Sequence, residues 1–142
     1  MIVVNNKKEL KELIIQRIRE QGLNCNLNDI DTSRVTDMSE LFMSSKFNGD
    51  ISVWDVSNVK NMSYMFYNSD FNGDLSKWNT GRVRNMMEMF SYTRFNGDIS
   101  QWNVSNVEDM SFMFEGSVFK GDLSKWDIHN AKNIEEYVWN IR

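Results

Sequence analysis

Apolar positions along this chain recur with a fixed step of 24 residues. Trp54, Trp78, Trp102 and Trp126 keep that step, as do Phe47, Phe71, Phe95 and Phe119. Phe42, Phe66, Phe90 and Phe114 follow it, with Val138 next, and so do Met38, Met62, Met86 and Met110, with Ile134 next. No insertion breaks the register. Two worn copies frame the array, Leu27–Ser33 with Ile30 in the tryptophan place, and Ala131–Arg142. Divergence at the ends is expected of a repeat array, because terminal copies must cover an apolar cross-section.

Inside one copy, Ile51, Trp54, Val56 and Val59 predict a short strand, with a period-2 step from Trp54 to Val56. Met62, Met65 and Phe66 stand at i, i+3 and i+4 and predict one helical turn, for which Asn61, Asn85, Asp109 and Asn133 are N-cap types. Gly49, Gly73, Gly97 and Gly121 predict turns at positive φ. Upstream, Asn6-Lys7-Lys8-Glu9 reads as a capping box, Leu10, Leu13, Ile14 and Ile18 line one helix face, and Gly22 stops it. This helix is expected to lid the first copy. The organisation predicted is a capping segment over 1–26, a repeat array over 27–130 and a degenerate capping repeat over 131–142. The last would carry a helix around Ile134, Tyr137, Val138 and Trp139. The expected class is α/β, a short right-handed solenoid of 24-residue strand-turn-helix coils with helical caps.

Composition narrows the function classes. At 41% hydrophobic and 13% aromatic, the chain can bury a real core. Its formal net charge of −4 leaves no overall basic footprint, so nucleic acid is not an expected partner. The single cysteine, Cys25, allows neither an internal disulfide nor a cysteine-rich zinc site. Residues Met1 to Leu10 lack the apolar stretch of a secretory signal, and no run reaches the roughly 20 apolar residues of a membrane span. As written, the chain reads as cytoplasmic and not inserted in a membrane, and as a monomer.

Candidate chemistry is sparse. The tryptophan column reads as core rather than as a stacking platform, since Ile30 fills the same slot. Asp50, Asp74, Asp98 and Asp122 form a column that either caps turns or offers a few oxygens to Ca²⁺; turn capping is the expectation, with no metal or cofactor. A second column, Asp31, Asp55, Asn79, Asn103 and Asp127, is expected to point outward and form a hydrogen-bonding ladder. The only histidine, His129, lies near the last copy and Cys25 in the first, about 20 Å apart at strand spacing, far beyond the roughly 3 Å of Cys–His catalysis. No enzyme is expected. Positions that differ among copies are the candidates for partner binding: Tyr67, Tyr92 and Arg94 after the predicted helical turn, and the row Lys77, Gln101 and Lys125. Tyrosine and arginine are types favoured at interface hot spots.

The string Phe47-Asn48-Gly49-Asp50-Ile51-Ser52-Val53-Trp54-Asp55-Val56-Ser57-Asn58-Val59, followed by Asn61-Met62-Ser63-Tyr64-Met65-Phe66, resembles the BspA-like leucine-rich-repeat surface proteins of bacteria. The resemblance runs from about Leu27 to Ile134. It implies a leucine-rich-repeat solenoid, a surface location and adhesion to host or neighbouring-cell components; the family shares no catalytic residues to carry over. The function expected is a non-catalytic binding module for a protein or glycan partner. The alternative is an intracellular regulator or inhibitor, from a mobile element, that uses the same repeat face.

Overall fold

The computed structural model describes residues 1–132, so the helix expected around Ile134 to Trp139 lies outside the described residues. The α/β solenoid of strand-turn-helix units is not what these residues form. They contain one helix, α1 (Lys7–Gln21), and two two-residue strands, β1 (Ile2–Val3) and β2 (Ile30–Asp31), paired in parallel. The helix lies outside the repeats, and the repeats are irregular, built from successive turns.

The helical run fails for a definable reason. Helix needs each N–H to reach the carbonyl four residues back. Instead, the N–H groups of Met62, Tyr64, Phe66 and Asn68 donate to the carbonyls of Asn85, Met87, Met89 and Ser91 in the next copy, at 2.8–3.0 Å. Those of Met65, Tyr67 and Ser69 close turns onto Met62, Tyr64 and Phe66. Tyr64 and Asn68 take φ of 57° and 53°, which ends any right-handed run. One column, Glu40, Tyr64, Glu88 and Phe112, and a second, Ser44, Asn68, Tyr92 and Gly116, share this left-handed conformation. It costs each non-glycine residue about 1 kcal/mol, and the cross-copy hydrogen bonds hold it in place. The predicted strand is likewise folded into turns, with Trp54 N–H on Ile51 and Val59 N–H on Val56.

The apolar spacing is nevertheless satisfied, because turns bury the same residues that a helix and strand would have buried. Ile51, Trp54, Val56, Val59, Met62, Met65 and Phe66 are all in the core. Phe42, Phe66, Phe90 and Phe114 stack with centroids 5.6–5.8 Å apart. A second file, Phe47, Phe71, Phe95 and Phe119, stacks at 6.2–6.4 Å. Burying each such ring stabilises the fold by roughly 1.5–3 kcal/mol. The glycines before the acidic column do not take positive φ. They make room: a Cβ at Gly73 would lie 2.7 Å from the Phe71 ring, and one at Gly121 2.3 Å from the Phe119 ring.

At the start of the chain, α1 begins as its sequence predicts. The Asn6 side chain accepts from Glu9 N–H, and Glu9 reaches back to Asn5 rather than to Asn6. Gly22, at φ 93°, ends it by donating to Ile18. Leu10 and Ile14 are buried, while Lys7 and Lys11 bond Ser39 and Leu41 of the first copy. Arg17, buried beneath the helix, holds Asp29 through two bonds of 2.9 and 2.7 Å.

Candidate partner-binding surfaces

Each repeat turns at asparagine, aspartate or serine oxygens that cap their own backbone. In the first acidic column, Asp50, Asp74, Asp98 and Asp122 accept the N–H of the serine two residues on, at 2.9–3.0 Å. Hydrogen bonds from that serine hold all four carboxyls below the ordinary aspartate range, the hydroxyl foremost at Asp74 and Asp98 and the backbone N–H foremost at Asp50 and Asp122. The second column behaves the same way and is not the expected ladder: Asp55, Asn79 and Asn103 cap Ser57, Gly81 and Ser105. The ladder between copies is made by asparagines not singled out in the sequence. Asn48, Asn72 and Asn96 each accept, through the side-chain oxygen, the N–H at the same place in the next copy.

The four tryptophans of the repeated column are core side chains. Trp54, Trp78, Trp102 and Trp126 are 4–8% exposed, and each indole N–H donates to a carbonyl of the preceding copy. Cys25 is buried, which pushes its thiol up, and His129 sits exposed with its ring nitrogen 2.6 Å from Asp127.

The six candidate contact residues fall into two places. Tyr67 and Tyr92 come together edge to face, their centroids 5.7 Å apart, and Tyr64 adds a third ring 5.5 Å from Tyr67. The Glu88 carboxylate beside the Tyr64 hydroxyl keeps that phenol protonated, its pKa pushed up to about 12. Tyr92 is half exposed and lies over Gly116, where an added Cβ would stand 2.4 Å from the ring. Arg94, exposed nearby in sequence, bonds the Asp70 carbonyl at 2.8 Å. Lys77, Gln101 and Lys125 form an exposed row beside the capped acidic turns, headed by the exposed Val53.

A third surface escaped the sequence reading. Lys60, Arg82 and Arg84 are exposed between the second capped corner and a third, where Asp37, Asn61, Asn85 and Asp109 cap the N–H two residues on. The exposed Lys132 holds the place of Lys60 and Arg84 in the last copy. These four cations line two adjoining hollows of about 340 Å³ each, which share Arg84 and Asn106. The signal was present in the sequence, since Lys60, Arg84, Glu108 and Lys132 are themselves 24 apart.

Among the described residues no group of three His, Cys, Asp or Glu side chains is placed to hold a metal ion, and no helix is long and apolar enough to cross a membrane. Buried columns of repeated side chains under exposed columns of varied ones define a repeat protein. Its individuality lies in what the exposed columns carry. The chain belongs to the family DUF285, described as Mycoplasma protein of unknown function, whose profile matches residues 11–117 and again 67–142. No curated protein and no solved structure matches it significantly.

Proposed function

We propose that this protein is a non-catalytic binding module that recognises a protein or glycan partner through the Tyr67–Tyr92 surface. The observation behind this reading is the preorganised tyrosine pair. Tyr92 is fixed between Tyr67 and Gly116 yet stays half exposed, so it offers apolar area and a hydroxyl at little ordering cost. Membership of a repeat family supports the reading, and kinship with the BspA-like surface proteins, with adhesion as the task, is its finer part.

The test is a titration against partners captured separately from host-cell extract and from the producing cell's lysate. Tyr92→Ala, Arg94→Ala and Lys125→Ala should each shift stability by only about 0.5 kcal/mol, as exposed changes do. At least one should weaken binding by more than about 1 kcal/mol, roughly fivefold. Normal binding by all three variants would remove this surface from consideration.

A further inference from the structure

We infer that the basic groove centred on Lys60, Arg82 and Arg84 binds a sulfated polysaccharide. This site is separate from the tyrosine surface and does not depend on it.

The groove runs across successive repeats. Lys60 N–H donates to Thr36, Arg84 to Lys60, Glu108 to Arg84 and Lys132 to Glu108, at 2.8–2.9 Å, which sets these side chains in one column. Neighbours in such a parallel ladder stand about 4.8 Å apart. Arg82 joins from the adjacent column, oriented by a 2.7 Å bond to Asn58. Four cations and one acid, Glu108, give this strip +3, against a whole-chain charge of −4. Basic charge has thus been gathered onto one strip of an acidic protein.

The flanking corners reinforce that charge. Each corner needs only one side-chain oxygen to cap the N–H two residues on, and aspartate or asparagine serves equally. Along one edge the caps run Asp37, Asn61, Asn85 and Asp109, and along the other Asp31, Asp55, Asn79, Asn103 and Asp127. Arg82 and Arg84 stand between the caps Asn79 and Asn85, whereas Lys60 stands between Asp55 and Asn61. The turns are unchanged, and the two arginines have uncharged caps on both sides.

The chemistry selects among anions. Guanidinium forks match the paired oxygens of a sulfate as they match those of a phosphate or a carboxylate. The backbone N–H groups of Lys60, Arg84, Glu108 and Lys132 are spent between copies, so a peptide cannot add there as a strand. No aromatic ring lines the hollows, so bases find no stacking surface. A polymer with closely spaced sulfates needs neither. One acid opposes it: Glu108 sits 3.4 Å from Arg84 and competes for that guanidinium.

The experiment titrates the full chain with heparin, with heparin stripped of its sulfates, with polyglutamate and with a single-stranded oligonucleotide. Heparin should bind tightest, and more weakly as salt rises. Lys60→Ala with Arg84→Ala should weaken heparin about tenfold at unchanged Tm, whereas Glu108→Gln should strengthen it about twofold. Tyr92→Ala should leave it unchanged, which separates this site from the tyrosine surface. Equal binding of the stripped chain, polyglutamate or the oligonucleotide would overturn the proposal. So would a double variant that binds as wild type, or a Glu108→Gln variant that shows no gain.

Discussion

At the scale of single residues, capping oxygens and ring stacking carry the fold. Asp74 shows how a cap couples to pH. The Ser76 hydroxyl, then its backbone N–H, hold the Asp74 carboxyl below its ordinary value. A carboxyl depressed in the folded state stabilises that state above its unfolded pKa of about 3.9, and the contribution is lost as pH falls through the lower folded value. Tm should therefore hold steady from neutral pH down to about pH 5 and fall below about pH 4. Replacing Asp50, Asp74, Asp98 and Asp122 together by asparagine keeps the acceptors and should flatten that acid limb. An unchanged limb in thermal melts would show that these caps do not set it. The capping role was legible in the sequence, because aspartate two residues before serine is a local signal. The role assigned to the glycines was not: positive φ and room for a ring both select glycine, and only Gly22 and Gly116 show the former.

At the scale of elements, α1 was readable and the repeats were not. The helix carries an apolar face along its fifteen residues, with a cap at Asn6 and a stop at Gly22 directly on either side, so local sequence decides it. The run from Met62 to Phe66 has the apolar spacing of a helix, but its alternate N–H groups are claimed by carbonyls 23 residues further on. Spacing alone cannot reveal where the hydrogen bonds go. β1 was equally hidden, since its partner Ile30–Asp31 lies across the intervening helix. What fastens α1 to the rest includes Arg17, which reaches beneath it to Asp29. Arg17→Ala should cost about 1–2 kcal/mol, because the lost bonds are charge-assisted and Asp29, partly exposed, can regain water. A double-mutant cycle with Asp29→Ala should show coupling of about 1 kcal/mol. Additive losses would place the effect in the packing of the arginine stem instead.

At the scale of the whole molecule, each copy is joined to the next at an offset of 24 residues, shortened to 23 at the last bridge. Parallel bridges link Asp37 to Asn61, Asn61 to Asn85, Asn85 to Asp109 and Asp109 to Lys132. Deleting Phe71–Arg94, one full step, should therefore leave a folded, shorter protein, since Phe95 would follow Asp70 as Phe71 now does. Deleting twelve residues from the same place should abolish the cooperative melt, because buried phenylalanines would meet exposed positions. Equal loss from both deletions would refute pairing by register. The period, the core list and the tyrosine positions were all visible in the sequence, whereas the basic strip needed the fold to show that its columns are adjacent. The bonds between copies have a mechanical consequence. They point along the line on which copies succeed one another, so tension along that line is carried by every junction in series and the weakest opens first. The chain then yields in steps, each paying out one repeat, about 80 Å of extended backbone. Copies beyond the opened junction keep their rings and charges in place, so the chain can lengthen while the remaining copies stay folded.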